Sequence, residues 1–111
     1  MKSWWISTGD NAMVLEMRDI PVPLPGPGQV GIRIRAAALN RGEFIAGHGL
    51  HTAAAARPAG FEAAGEVTAV GAGVTRWKVG DRVMGRCDGA FAEHGCMVAD
   101  EVFGALSLIH I

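Results

Sequence analysis

Histidine and cysteine side chains that could ligate a metal ion form two groups along the chain. His48 lies near His51, and His94 lies between Cys87 and Cys96. A structural zinc ion needs four thiolate or imidazole ligands, and a catalytic zinc ion needs three with an open position. Neither group supplies four donors at a recognised spacing. We therefore interpret these histidines as loop and surface side chains and do not predict a zinc site.

Other catalytic motifs are missing from the sequence or incomplete. No GxSxG, Walker or HExxH sequence occurs, so hydrolase and nucleotidase activities have no support. The segment Val67–Arg76 resembles a dinucleotide fingerprint, because GAGVTR follows a predicted strand. However, Arg76 occupies the position of the third glycine, and Gly80 interrupts the helix that should follow. We do not predict a dinucleotide site there.

Charge balance and hydropathy argue against two classes of partner. The 111 residues include 10 basic and 11 acidic side chains, with a formal charge of −1, which gives no electrostatic basis for binding nucleic acid or an anionic membrane. No apolar run approaches the roughly 20 residues of a membrane span, and the start lacks a signal peptide. We expect one cytoplasmic domain in which Cys87 and Cys96 are reduced thiols.

Patterns in the N-terminal part predict three extended segments. Met13–Met17 alternates in polarity and is expected to pair with Trp4–Ile6 in a hairpin. Pro21–Gly28 has a proline at every second position. Because proline has no N–H to donate to a strand ladder, this segment predicts an extended connection. Gln29–Ala38 predicts a strand. One face of that strand would carry Val30, Ile32, Ile34 and Ala36, and the other would carry Arg33 and Arg35.

A short helix and a loop are predicted next. Asn40 is in position to cap a helix that ends near Gly47, and Glu43 completes a capping-box spacing. Gly47–Ala59 contains glycines, consecutive alanines and an Arg-Pro pair, so we predict a loop despite the helix propensity of alanine.

The segment Gly60–Val83 contains five glycines at spacings suited to a strand, a turn and a second strand. Glu66–Val70 predicts the first strand, bounded by glycines that need positive φ or close contacts. Asp81 can accept backbone N–H groups in the turn, and Arg82–Gly85 resumes an extended run. A further extended run covers Ala90–Val98. Many short strands with one or two short helices predict a mainly β protein built as a small, partly open barrel.

Taken together, these segments resemble the N-terminal catalytic domain of the medium-chain dehydrogenase/reductase superfamily, whose GroES-like barrel also occurs in small co-chaperonins. The resemblance runs from about Met13 to Val102. The motifs that carry it are GIRIRAAALN (Gly31–Asn40), the glycine signature beginning at Gly60, VGDRV (Val79–Val83) and GAFAEHGCMV (Gly89–Val98).

The resemblance indicates the zinc-free, quinone-oxidoreductase-like branch. Zinc-dependent members place Cys and His where this chain has Asn40 and Phe61, and the lobe of four cysteines is absent because only Cys87 occurs in that region. Zinc-free members have Asn at the former Cys position, as here. We therefore expect no zinc.

The same resemblance implies hydride transfer from NADPH to a quinone or an α,β-unsaturated carbonyl, with the protein supplying position and polarity. Asn40 would contact the nicotinamide ribose or ring, and Phe61 would line the cleft where a metal stands in relatives. Phe44 and Leu50 would form the substrate side. Glu62, the acidic neighbour of the zinc branch's His, is the second candidate catalytic residue; the alternative is a charge paired near the barrel rim with Arg41 or Arg57. The parent enzyme would be a homodimer.

The resemblance divides the chain into residues 1–102, a GroES-like domain, and 103–111, a tail outside the family pattern whose end resembles translated read-through. Relatives are about three times longer and carry NADPH on a Rossmann-type domain that this sequence lacks, so we expect a truncated chain that does not turn over NADPH by itself. Two other interpretations stay open: an enoyl-reductase module of a larger synthase, and a stand-alone GroES-like binding or assembly barrel.

Overall fold

Strands dominate the computed structural model, which describes residues 1–8, 13–39 and 56–104. Along these residues the elements are β1 (Lys2–Thr8), β2 (Met13–Asp19), β3 (Gln29–Ala37), β4 (Arg57–Pro58), β5 (Glu62–Val70), β6 (Arg82–Arg86), β7 (His94–Val98), a 3₁₀ helix (Ala99–Glu101) and β8 (Phe103–Gly104). The mainly β class predicted from the sequence is confirmed. The helix predicted from Asn40 to Gly47 lies outside the described residues.

The strands form two antiparallel sheets that stay open within the described residues. The smaller has the order β2-β1-β4 and the larger the order β7-β3-β5-β6-β8. The sheets meet where Ser3 bridges to Ala92 and where Trp4 N–H donates to the Phe91 carbonyl at 2.9 Å. This arrangement agrees with the predicted partly open barrel. No described helix has the length and apolar character needed to span a bilayer.

The N-terminal hairpin was predicted correctly, but its alternating pattern does not mark a buried face. β1 pairs with β2 in the register Trp4↔Met17 and Ile6↔Leu15. Ile6 is buried, whereas Leu15 is 49% exposed. β2 is an edge strand whose apolar side chains stay largely accessible on both faces.

β3 has the predicted position, but its alternation ends before its C-terminus. Val30 and Ile32 are fully buried, whereas Ala36, predicted on the same face of the strand, is exposed. The pairing with β5 shifts register between Ile34 and Ala36, which indicates a bulge. A bulge inserts an unpaired residue and changes the direction of the side chains after it, so a strict period of two fails there.

β5 begins at Glu62, four residues before its predicted start at Glu66, because Gly65 is part of the strand and not its boundary. A Cβ atom at Gly65 would lie 2.0 Å from the carbonyl oxygen of Arg33. Glycine therefore permits the close approach of β5 to the bulge in β3. Residues 71–81 then connect β5 to β6, and the predicted turn is confirmed, because the Asp81 carboxylate accepts the Lys78 N–H at 3.0 Å.

Two further predicted boundaries were wrong. Arg57 and Pro58, predicted within a loop, form β4 against β1. The extended run predicted over Ala90–Val98 contains a strand only from His94. Among the described residues, the larger sheet packs its inner face around a core made of Val30, Ile32, Ala63, Val67, Val83, Cys87, Ala90, Met97, Ala99 and Val102.

Candidate functional site

The segment before β5 is held tightly by the chain that follows β6. Three backbone hydrogen bonds join the two segments: Cys87 N–H to Phe61 O (2.6 Å), Gly89 N–H to Gly60 O (3.0 Å) and Phe91 N–H to Ala59 O (3.0 Å). Gly60 has φ +98°, and a Cβ atom there would lie 2.8 Å from the Phe91 nitrogen. Only glycine fits this backbone, and the three bonds fix the point at which Phe61 leaves the main chain.

Phe61 is half-buried beside a concavity of about 340 Å³, which we call the Phe61 cavity. Its lining consists of Arg57, Pro58, Gly60, Phe61, Arg86, Asp88 and Gly89. The guanidinium carbon of Arg57 lies 5.1 Å from the centroid of the Phe61 ring, within the range of a cation–π contact. Arg86 and Asp88 form an ion pair at 3.4 Å. The cavity therefore combines one aromatic ring with two guanidinium groups and one carboxylate.

Glu62 lies on a different surface from Phe61. It borders a shallow concavity of about 650 Å³, here called the alanine concavity, with Ala36, Ala37, Ala38, Ala63, Ala64, Met84, Gly85, Arg86, Glu101 and Phe103. Successive side chains of an extended chain point to opposite faces, so adjacent positions at the start of β5 reach separate surfaces. The backbone carbonyl of Glu62 accepts the Ala38 N–H at 3.0 Å, which joins β5 to the chain just before Asn40.

Three of the residues predicted to act in the site lie outside the described residues: Asn40, Phe44 and Leu50. His48 and His51 also lie outside them. Of the five predicted site residues, the structure thus places Phe61 and Glu62, and it assigns them to different concavities.

The donor chemistry of the described residues does not suit a metal ion. Phe61 has no donor atom, and no group of three or more His, Cys, Asp or Glu side chains in residues 1–8, 13–39 and 56–104 could hold one. Cys87 and Cys96 are free thiols. Burial raises the pKa of the Cys87 thiol to about 11, and Cys96 and Asp88 add to that effect. Burial also raises the pKa of Cys96, so both thiols are protonated, weak nucleophiles at neutral pH.

Sequence reasoning missed the two arginines of the Phe61 cavity. Arg57 was interpreted as part of a loop, and its position depends on the pairing of β4 with β1, in which it lies opposite Ile6. Arg86 ends β6. No local spacing could have found Arg57, because an arginine four residues before Phe61 would lie about 13 Å from it along an extended chain.

Comparison with known proteins identifies the class of this domain. The family model for the alcohol dehydrogenase GroES-like domain matches residues 26–106. The chain is 44% identical over 78 residues to the human synaptic vesicle membrane protein VAT-1 homolog, a match that covers 68% of this chain and 20% of that protein. It is 50% identical over 72 residues to the quinone oxidoreductase of Pseudomonas aeruginosa, covering 63% of this chain and 22% of that enzyme.

Similar identity extends to a polyketide synthase component. The pikromycin polyketide synthase component PikAII of Streptomyces venezuelae is 50% identical over 72 residues, with 65% of this chain and 2% of the synthase covered. Among solved structures, a mycobacterial protein complexed with NADPH superposes with a TM-score of 0.82 at 30% identity, covering 95% of this chain and 34% of that one.

The chain belongs to the alcohol dehydrogenase GroES-like domain family. Its similarity to quinone oxidoreductases, in both sequence and structure, confirms the predicted resemblance to the quinone-oxidoreductase-like enzymes of the medium-chain superfamily. The chain spans about a fifth of the length of the VAT-1 homolog and of the Pseudomonas enzyme that it matches.

Proposed function

We propose that this chain supplies the catalytic domain of a zinc-independent, NADPH-dependent oxidoreductase that reduces a quinone or an α,β-unsaturated carbonyl compound. The observation that carries the proposal is the environment of Phe61. A side chain without a donor atom occupies the position at which zinc-dependent members place a His, and it borders a cavity of ligand size. The 50% identity to a quinone oxidoreductase supports the same substrate class.

NADPH, when bound, supplies the hydride, and the substrate also takes up one proton from solvent, so that a quinone becomes a hydroquinone and NADP⁺ is released. In this proposal Asn40 contacts the nicotinamide end of the cofactor, and Phe44 and Leu50 border the substrate. The ring of Phe61 contacts the substrate's carbon skeleton and excludes water. The chemistry of this chain is therefore orientation and desolvation, not electrophilic activation by a metal.

We assign Glu62 an indirect role in the same reaction. Its side chain borders the alanine concavity, whereas its carbonyl oxygen accepts the Ala38 N–H at 3.0 Å. That bond ties β5 to the segment from which Asn40 follows, so in this proposal the backbone of Glu62, and not its side chain, helps to position Asn40.

The test of the proposal uses the longer protein that is encoded when the reading frame is extended past Val102. We expect that protein to contain a Rossmann glycine motif, to oxidise NADPH with quinones or enones, and to contain no stoichiometric zinc by elemental analysis. Asn40→Ala should raise KM for NADPH or lower kcat. Hydride transfer that requires bound zinc, or none with either substrate class, contradicts the proposal.

A second candidate is the enoyl-reductase module of a larger synthase, which the 50% identity to the pikromycin synthase component favours. Acyl-carrier or ketosynthase domains encoded beside this chain would identify the module, and their absence would favour the separate enzyme. For the separate enzyme we propose a cytoplasmic homodimer, which native mass measurement of the purified protein checks.

A further inference from the structure

The charged side chains that line the Phe61 cavity carry a net positive charge. Arg57 and Arg86 contribute two positive charges to the lining, and Asp88 contributes one negative charge. Glu62 lies opposite Arg86 in the β5–β6 pairing and borders the alanine concavity, whose lining also includes Arg86. A ligand in the Phe61 cavity therefore meets an excess of guanidinium groups next to an aromatic ring.

The position of Arg57 is set by the fold. β4 is joined to β1 through the pairs Trp5↔Pro58 and Ile6↔Arg57, and Ile6 is buried. The guanidinium carbon of Arg57 lies 5.1 Å from the centroid of the Phe61 ring. A planar ligand that contacts Phe61 thus brings its ring substituents next to a guanidinium group, which binds carboxylate and sulfonate oxygens through paired N–H donors.

The second guanidinium is held only weakly by its partner. The ion pair between Arg86 and Asp88 spans 3.4 Å, and the two side chains are 67% and 71% exposed. Exposed pairs of this kind contribute little to stability, because water screens them. An anionic group on a ligand can therefore take the place of Asp88 beside Arg86 at small cost.

We infer that the Phe61 cavity binds planar quinones that carry an acidic substituent, with Phe61 contacting the ring and Arg57 and Arg86 contacting the anion. This inference rests on the proposed function for its substrate class and adds a preference within that class. It assigns Arg57 and Arg86 as specificity-determining residues.

Equilibrium binding to the 111-residue chain tests the inference separately from hydride transfer. The probes are anthraquinone-2-sulfonate and its neutral counterpart 2-(hydroxymethyl)anthraquinone, compared by isothermal titration calorimetry. We expect the sulfonate to bind about five- to tenfold more tightly, as one charge-assisted contact in a partly exposed site provides. Raising the ionic strength should reduce that preference.

Two variants and a matched control locate the preference. Arg57→Gln and Arg86→Gln should each reduce the advantage of the sulfonate over the neutral probe, and an unfolding midpoint equal to that of the parent chain shows that each variant is folded. Arg76→Gln is the control, because it removes the same charge and a similar arginine–aromatic contact, at 5.3 Å from Trp77, at a position outside the lining. It should leave the preference intact.

Equal affinity for the two probes, no binding of either, or a preference that persists in the Arg57→Gln, Arg86→Gln double variant overturns the inference. The proposed function fails separately. A preference for the sulfonate without hydride transfer in the whole enzyme supports the anion preference of this cavity and contradicts the proposed reductase activity. Hydride transfer to neutral quinones without a preference for the sulfonate supports the reductase activity and contradicts the anion preference.

Discussion

Phe61 and Glu62 are neighbours in the sequence, yet they border two different concavities. The Phe61 cavity is bordered by an aromatic ring and two arginines and is backed by a segment with three backbone hydrogen bonds. The alanine concavity is roughly twice as large, is lined mainly by small apolar side chains, including both the core-facing Ala63 and the outward-facing Ala64, and shares Arg86 with the Phe61 cavity.

The difference follows from where β5 begins. Once the chain is extended, Ala63 and Val67 face the core, and Glu62, Ala64 and Glu66 face outward. A motif that places Gly, Phe and Glu in succession therefore does not build one site from three residues. Gly60 fixes the backbone position, Phe61 supplies a ring to the Phe61 cavity, and Glu62 supplies a carboxylate to the alanine concavity.

The largest effect that separates the two faces of β5 should come from a charge placed on each. Ala63 is 6% exposed within the core, and Ala64 is half-buried on the outer face. Ala63→Asp should lower the free energy of unfolding by more than about 3 kcal/mol, because it buries a carboxylate without a partner. Ala64→Asp should cost about 1 kcal/mol or less. Similar losses in chemical denaturation would show that the two faces are not distinct.

The next effect tests the rigidity behind Phe61. In Gly60→Ala the new Cβ atom lies 2.8 Å from the Phe91 nitrogen, and the alanine must adopt φ +98°. We expect the free energy of unfolding to fall by about 3 kcal/mol from strain and overpacking together. Gly73→Ala is the control, because Gly73 has φ +81° with no heavy atom within 4 Å of the added Cβ. It should cost about 1 kcal/mol. Equal losses in thermal or urea unfolding would mean that backbone conformation alone matters and that the close contact does not.

These boundaries also show how much the sequence could predict. Alternation located β2 and most of β3, because apolar periodicity follows directly from strand geometry, and β1 was inferred as the hairpin partner of β2. It failed at the bulge near Ala36 and at the start of β5, where alanine and glycine have weak strand propensity and the deciding contact is a backbone approach to Arg33.

The candidate site was predictable in part. Phe61 could be selected by family resemblance, and its half-buried position beside a cavity agrees with a role as a cleft residue. The separation of Glu62 from Phe61 required the start of β5, and the contact of Arg57 with Phe61 required the pairing of β4 with β1. Both depend on tertiary structure that no local pattern encodes.

An alkaline titration tests the burial of Cys87 in the core of the larger sheet. Burial raises the pKa of Cys87 from its ordinary value of 9.0 to about 11. Because the folded-state pKa is the higher one, the protonated thiol contributes about 2 kcal/mol to the free energy of unfolding. This contribution is complete below pH 9 and is lost as the pH rises towards 11. Cys87→Ala should remove that part of the pH dependence of the unfolding free energy. An unchanged pH profile in this variant would contradict a buried, protonated thiol.

The smallest effect belongs to the outer face. The pKa of Glu66 lies below its ordinary value because Arg35 hydrogen-bonds its carboxylate, with Arg33 and Arg82 adding to the effect. A lowered folded-state pKa stabilises the fold above the ordinary value of 4.5, and this contribution disappears as the pH falls through the lower value. Arg35→Gln should raise the Glu66 pKa measured by NMR titration, and Arg76→Gln should not. A Glu66 pKa unaffected by Arg35→Gln would show that this contact does not form in solution.

The most direct test of the division between the two surfaces is a comparison of quinone affinity in Phe61→Ala and Glu62→Gln. Phe61→Ala removes the ring that borders the cavity, and anthraquinone-2-sulfonate should bind about tenfold more weakly, because an aromatic contact and its buried area are lost. Glu62→Gln keeps the backbone bond to Ala38 and should change Kd less than about twofold, because the side chain borders the other surface. A loss in Glu62→Gln equal to or larger than that in Phe61→Ala would contradict the assignment of ligand binding to the Phe61 cavity.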